Sequence, residues 1–116
     1  MLQLTPQSRI FLACEAADFR RGIDGLAALC RQRLREDPMA GAIFVFRNRR
    51  GTALKLLSYD GQGYWLCQKR LSQGRLHWWP STPQASERLS ARELQILLWN
   101  GNPKTVKLAE DWRRVA

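Results

Sequence analysis

Apolar and polar positions along the chain follow two different periods. Residues Ser8 to Cys14 contain a short apolar run that predicts a buried strand. Further along, apolar side chains recur every three or four positions, which is typical of one face of a helix. Asp18 can cap this helix, and Asp37-Pro38 ends it. The apolar stripe of the predicted helix consists of Ile23, Leu26, Ala27, Cys30 and Leu34.

From Ala42 onward the period changes, and Gly-containing turns separate short runs rich in β-branched, aromatic and leucine residues. This pattern predicts a meander of antiparallel strands, in which one face can stay in contact with water. Pro80 ends the last strand, because proline cannot donate a hydrogen bond to a neighbouring strand. The four predicted strands are Ala42–Arg47, Ala53–Tyr59, Tyr64–Arg70 and Arg75–Trp79.

A second helix has the clearest local signature. Ser90 can serve as its cap, Glu93 completes a capping box, and Leu89 can pack against Leu94 as a hydrophobic staple. Asn100-Gly101 closes the helix. The sequence therefore predicts an α+β fold of strand, helix, four-stranded antiparallel meander and C-terminal helix. We expect one domain over residues 1–103, followed by a tail or short helix over residues 104–116.

Composition narrows the class of protein. The 116 residues are 45% apolar, which is enough for a core, and no apolar run reaches the roughly 20 residues of a membrane span. The N-terminus lacks the basic segment and apolar stretch of a signal peptide. We therefore expect a soluble cytoplasmic protein without membrane contact. The odd set of three cysteines, Cys14, Cys30 and Cys67, predicts reduced and buried thiols.

The positive charge of the chain is concentrated on the predicted meander. Nineteen Lys and Arg residues against ten Asp and Glu give a net charge of +9. The segment from Arg47 to Arg75 contains seven basic residues and one acid, Asp60, which gives it a net charge of +6. If they gather on one side, they form a surface suited to a phosphate backbone; a merely solvated face is the alternative. The seven candidates are Arg47, Arg49, Arg50, Lys55, Lys69, Arg70 and Arg75.

Aromatic residues alternate with these basic residues. Tyr64 and Trp79 are the two rings we single out for stacking on unpaired bases. The competing interpretation is that both rings pack in the core, because a small domain needs aromatic mass there.

Residues suited to catalysis or metal binding are sparse. His77 is the single histidine, and it has no acid or cysteine close by in sequence. Asp24, Asp60 and Glu93 resemble a carboxylate triad only by their wide spacing, since each has a sufficient local explanation in a helix, a turn or a cap. We predict no catalytic residue, no metal site and no cofactor.

Several segments in fixed order carry a family resemblance. They include Asp18 to Leu26, Phe44 to Gly51 and Tyr59 to Leu66. Together they resemble the small accessory proteins, called TnpB or Orf2, of bacterial insertion-sequence-66-type transposable elements. This family is distinct from the large RNA-guided nucleases that share the TnpB name. The resemblance implies an accessory protein encoded beside a separate transposase, with no catalytic residues, and it adds Arg20 and Arg21 to the basic residues that we assign to DNA contact.

Three hypotheses follow for the function. The preferred one is a non-enzymatic module that binds transposon-end DNA, the transposase complex or both through the basic residues. The second is a subunit that binds the transposase or another accessory protein without DNA contact, through a helix edge formed by Leu94, Leu97, Leu98 and Trp99. The third is a small metal-independent ribonuclease, for which only His77 or Tyr64 offers acid–base chemistry.

Overall fold

The computed structural model of the chain describes residues 4–105. Of the predicted tail, residues 106–116 lie outside the described residues. Five strands and two helices lie wholly within the described residues. In chain order they are β1 (Ile10–Ala13), α1 (Ile23–Gln32), β2 (Ile43–Arg47), β3 (Ala53–Tyr59), β4 (Tyr64–Arg70), β5 (Ser86–Leu89) and α2 (Ala91–Leu98).

All five strands form one mixed sheet in the order β4-β3-β2-β1-β5. β1 is parallel to β2, and α1 makes the crossover between them, whereas the other neighbouring pairs are antiparallel. The predicted α+β class is therefore confirmed. The meander needs one correction: β2, β3 and β4 form the predicted antiparallel hairpins, but β1 joins the sheet parallel to β2, so the sheet is mixed.

The fourth predicted meander strand, Arg75–Trp79, is not a strand. Trp78 and Trp79 are consecutive, yet both pack against the same apolar cluster. An extended strand would point them to opposite faces of the sheet, so packing prevents the strand. The edge position beside β1 belongs instead to β5.

Apolar clusters cover both faces of the sheet. Phe11, Phe44 and Leu57 pack with α1 on one face. Leu12 and Val45 pack with α2 on the other face, together with two buried leucines of β3. The prediction of a water-exposed face is therefore wrong for β1, β2 and β3, whereas most of β4 is exposed. Any polar side chain in the middle of β3 must find its partner inside the protein.

The helix ends differ in how well local sequence specifies them. Gly22 precedes α1 without any side-chain cap, so the predicted capping role of Asp18 is wrong. α1 ends at Gln32, earlier than predicted, and the chain turns away at Arg35 with a φ of 56°. The capping box of α2 is confirmed, since Ser90 and Glu93 exchange hydrogen bonds of 2.9 and 3.1 Å.

The cysteines are all free, but they differ in environment. Cys14 and Cys30 are buried as predicted, and burial raises the pKa of the Cys30 thiol to about 12. Cys67 is exposed on β4, so the prediction of a buried thiol is wrong there. Neither helix within residues 4–105 has the length and apolar character needed to cross a membrane.

Candidate nucleic-acid interface

Strand direction brings two basic segments to the same end of the sheet. β1 and β2 are parallel, so the loop after β1 and the turn after β2 leave the sheet at one end. The backbone N–H of Ala17 in this loop donates a 2.9 Å hydrogen bond to the carbonyl oxygen of Arg47. The loop that carries Arg20 and Arg21 therefore lies beside the turn that carries Arg49 and Arg50.

Asn48 organises the turn between β2 and β3. Its Oδ1 accepts hydrogen bonds from the backbone N–H groups of Thr52 and Ala53 at 2.8 and 3.1 Å, and its Nδ2 donates to Thr52 Oγ1 at 2.9 Å. Gly51 adopts a φ of 70°, which glycine reaches without steric cost. These bonds fix the backbone under Arg49 and Arg50, whose side chains are exposed.

Asp18 orients Arg20 in the neighbouring loop. The Asp18 carboxylate accepts bonds from the backbone N–H of Arg20 at 2.9 Å and from its guanidinium at 2.8 Å. These bonds hold the pKa of Asp18 well below its usual range, with a smaller contribution from the charge of Arg49. The Arg20 side chain remains 92% exposed, so its remaining donors face solvent.

Lys55 is buried, which contradicts its predicted role in DNA contact. The residue is 7% exposed, and its ammonium donates to the carbonyl oxygens of Phe19 and Arg21 at 2.9 and 3.0 Å. Nζ also lies 4.9 Å from the centre of the Phe19 ring. Lys55 faces inward because α1 and its preceding loop cover this face of β3, and its charge anchors that loop.

The two segments enclose a surface cleft. Cavities of about 340 and 260 Å³ share Ala17, Asp18 and Arg49 in their walls. We call their union the arginine cleft, since five arginines and two acids, a net charge of +3, line it. The charged lining residues are Arg20, Arg21, Arg33, Arg49, Arg50, Glu15 and Asp18.

The other basic candidates lie outside the lining of the arginine cleft. The guanidinium of Arg47 is half-buried and lies 5.9 Å from the centre of the Trp79 ring. Lys69 and Arg70 are exposed but point to opposite faces of β4, and Lys69 Nζ donates to the carbonyl oxygen of Leu98. Arg75 is exposed in the loop after β4. The basic residues therefore do not form the single surface that we predicted.

The two rings chosen for base stacking are half-buried. Tyr64 packs against the α1-side cluster and contacts Tyr59 edge to face at 5.0 Å, and burial raises the pKa of its hydroxyl. Trp79 packs against the α2-side cluster, and its indole N–H donates to the carbonyl oxygen of Ala13 at 3.0 Å. Core packing, the competing interpretation, accounts for both rings.

The predicted docking edge on α2 is largely buried. Leu94 is 0% exposed and Leu97 is buried beside it, so neither can contact a partner directly. Leu98 is half-buried against the same cluster. The prediction of a docking edge is wrong for these leucines, because the apolar stripe of α2 already packs against the sheet. Trp99 remains available, since it is 86% exposed.

Two of the three acids considered as a triad, and the histidine, have structural partners. Asp60 accepts bonds from two backbone N–H groups of its turn and from the indole of Trp65. Glu93 belongs to the capping box, and His77 Nδ1 lies 2.7 Å from the carbonyl oxygen of Asn100. Within residues 4–105, no three His, Cys, Asp or Glu side chains gather as metal ligands would.

Comparison with known proteins identifies the family. The family model described as IS66 Orf2 like protein matches residues 8–107. The chain belongs to this family. Uncharacterized protein y4hO of Sinorhizobium fredii (strain NBRC 101917 / NGR234) is 38% identical over 98 residues, which cover 84% of each chain. Uncharacterized protein y4jC of the same strain is 36% identical over 107 residues, or 92% of this chain and 83% of the relative. No solved structure matches significantly.

Membership of the IS66 Orf2-like family supports a role as an accessory protein of transposition. The family segment that includes Asp18, Arg20 and Arg21 forms one wall of the arginine cleft, and the segment with Arg49 and Arg50 forms the other. Sequence reasoning missed Arg33, which lies beyond the end of α1 and pairs loosely with Glu15 at 3.9 Å. The available signal was its place in the sequence, directly before the last residue of the apolar stripe of the first predicted helix.

Proposed function

We propose that this protein is a non-enzymatic accessory subunit of transposition and that its arginine cleft binds the phosphate backbone of transposon-end DNA. One observation carries the proposal: four exposed arginines, from segments almost thirty residues apart, line the two adjoining cavities of the arginine cleft. Guanidinium groups bind phosphate oxygens through paired donors and stay charged at every physiological pH.

The local geometry supports phosphate contacts better than recognition of base edges. Arg49 and Arg50 lie on a fixed turn, while Asp18 and Lys55 hold the facing loop. Such contacts position a duplex without reading its sequence, so selectivity for the element ends comes from the transposase in the same complex. Association with the transposase, and with any other accessory protein of the element, is part of the proposal.

A salt titration tests the arginine cleft. We would measure fluorescence polarisation of a labelled element-end duplex and an unrelated duplex across a range of salt concentrations. Four phosphate contacts predict that log K falls against log salt with a slope of about −3.6. Arg49→Ala and Arg50→Ala should each reduce that slope by about 0.9. Arg9→Ala is the matched control, because Arg9 is exposed and donates to Ala40 at the opposite end of the sheet.

The two alternative functions predict different results in this titration and in two further assays. A subunit that binds only the transposase would bind neither duplex, and Arg49→Ala with Arg50→Ala would leave its capture by purified, nuclease-treated transposase unchanged. A ribonuclease would release products from labelled RNA in the absence of divalent metal. Either result would contradict the proposed function.

A further inference from the structure

Trp99, directly after α2, combines an exposed ring with a fixed backbone. Of the large apolar residues that the described chain exposes, namely Met39, Trp65 and Trp99, it is the most exposed, at 86%. Its backbone N–H still bonds to the carbonyl oxygens of Gln95 and Ile96, each at 3.2 Å. Exposure of the ring is therefore not the result of a loose chain end.

Long-range contacts hold the residues on both sides of Trp99. Lys69 Nζ donates to the carbonyl oxygen of Leu98. Asn100 Oδ1 accepts a 2.9 Å bond from the backbone N–H of His77, and Asn100 Nδ2 donates to the carbonyl oxygen of Arg75 at 3.2 Å. Because β4 and the following loop clamp both neighbours, the backbone that carries the indole is fixed, and binding costs little backbone ordering entropy.

The surroundings of this ring are basic. β4 and the following loop up to residue 79 contain no Asp or Glu, and the one acid of α2, Glu93, is buried and paired with Lys104. Lys69 and Arg75 are exposed and lie next to the residues that flank Trp99. We define the Trp99 surface as Lys69, Arg75, His77 and Trp99. It lies on the α2 side of the sheet, whereas the arginine cleft lies between the loop before α1 and the β2–β3 turn.

We propose that the Trp99 surface binds single-stranded DNA, with the indole stacked on an unpaired base and with Lys69 and Arg75 on the adjacent phosphates. An exposed aromatic ring inside a basic surface is the combination that binds single strands, and stacking tolerates any base because every base has a π face. The inference deepens the proposed function by adding a second form of DNA, and it concerns a separate surface.

A protein partner fits this surface less well. The core of a protein interface is apolar and depleted of charge. The leucines of α2 that would extend such a core from Trp99 are buried or half-buried in the fold. The two charged residues that contact the neighbours of Trp99, Lys69 and Arg75, are both cationic, which favours an anionic polymer.

The test compares two forms of DNA with matched tryptophan variants. The probes are a labelled oligothymidylate of about 15 nucleotides, the upper range of one binding module, and a duplex of equal length. Trp99→Ala should weaken binding of the single strand by about 5- to 150-fold, the usual loss for one stacked base. Duplex binding should not change. Trp99→Phe should restore most of the lost affinity, because it retains an aromatic face.

Trp65→Ala is the matched control, since Trp65 is also exposed, at 42%, but lies at the other end of β4 and bonds to Asp60. It should leave both affinities unchanged. Circular dichroism would show that each variant is folded. Lys69→Met and Arg75→Ala should each weaken single-strand binding and reduce its salt slope by about 0.7.

Two results would overturn the inference without affecting the arginine cleft. One is wild-type single-strand affinity in Trp99→Ala, while Arg49→Ala still weakens duplex binding. The other is loss of capture by purified transposase in Trp99→Ala with no change in DNA binding, which would make this a protein-docking surface. Conversely, failure of duplex binding with intact, Trp99-dependent single-strand binding would contradict the proposed function alone.

Discussion

The ammonium group of Lys55 donates a 3.0 Å hydrogen bond to the backbone carbonyl oxygen of Arg21. A second bond, of 2.9 Å, joins it to the carbonyl oxygen of Phe19. A buried charge is costly unless several acceptors surround it, so Lys55 and the loop stabilise each other. The position of Arg20 and Arg21 in the arginine cleft therefore depends on a lysine that does not itself reach the cleft surface.

Replacing Lys55 by methionine tests this dependence. Lys55→Met leaves two carbonyl groups without their donor, so we expect the free energy of unfolding to fall by about 1–3 kcal/mol. The freed loop should also become more susceptible to trypsin, which cuts after arginine. Urea unfolding measures the first effect, and limited proteolysis with mass spectrometry of the fragments measures cleavage after Arg20 or Arg21.

Lys69→Met is the control for this substitution, because Lys69 also donates to a backbone carbonyl but on the opposite face of the sheet. It should leave the rate of cleavage at Arg20 and Arg21 unchanged. Equal cleavage rates in Lys55→Met and the wild type would show that Lys55 does not hold the loop.

Asp18 opposes the charge of the arginine cleft while it orients Arg20. Asp18→Asn removes the negative charge but retains an oxygen that can accept the backbone N–H of Arg20. We expect duplex DNA to bind about two- to five-fold more tightly at low salt, the range for one exposed charge pair. Screening should remove the gain at high salt. Polarisation titrations at two salt concentrations measure this.

Asp24→Asn removes the same charge from the exposed first turn of α1, outside the cleft lining. It should change DNA affinity less than Asp18→Asn does. If both variants gain equally, net charge alone determines binding and the arginine cleft has no local role.

Local sequence predicts the elements that local interactions determine. The capping box of α2 needs only Ser90 and Glu93, and the hairpins β2–β3 and β3–β4 need only short turns between adjacent strands, so all were predictable. The pairing of β1 with β2 and with β5 joins segments far apart in the chain. Periodicity carries no information on such pairing, so the mixed sheet was missed.

In the candidate site, too, the sequence predicts local features but not contacts between distant segments. The charges of Arg49 and Arg50 on a turn were predictable, because turns lie at the surface. The proximity of Arg20 and Arg21 was not, since the crossover through α1 creates it. One signal was available for Lys55: it interrupts an otherwise apolar run from Ala53 to Leu57, and such continuous runs indicate strands that are buried on both faces.

The turn between β2 and β3, which carries Arg49 and Arg50, requires glycine at position 51. The φ of Gly51 is 70°, and a Cβ there would meet no atom within 4 Å, so backbone strain is the whole cost of a side chain. Gly51→Ala should lower the free energy of unfolding by about 1–2 kcal/mol. Gly63→Ala is the control, because Gly63 has equal space and no positive φ, and it should have little effect. If urea unfolding gave equal losses of unfolding free energy for the two variants, the positive φ of Gly51 would not be the cause of the loss.

Glu93 should make stability depend on acid pH. Burial raises the pKa of its carboxyl, but hydrogen bonds from Ser90 and from Lys104, the latter at 3.2 Å, outweigh burial and lower the pKa below its usual 4.5. Since the pKa is lower in the folded chain than in the unfolded chain, the carboxylate stabilises the fold above about pH 4.5, and this contribution is lost as pH falls through the folded-state pKa.

Glu93→Gln keeps an oxygen for the backbone N–H of Ser90 but removes the charge, so it should cost about 1 kcal/mol near neutral pH. The difference in unfolding free energy between wild type and Glu93→Gln should shrink between about pH 5 and pH 3, because protonated Glu93 and glutamine are both neutral. Urea unfolding at several pH values measures this difference. Lys104→Met should reduce the difference at neutral pH, since the exposed ammonium of Lys104 is one of the groups that favour the carboxylate. A difference that does not vary with pH would mean that Glu93 stabilises α2 through its shape alone.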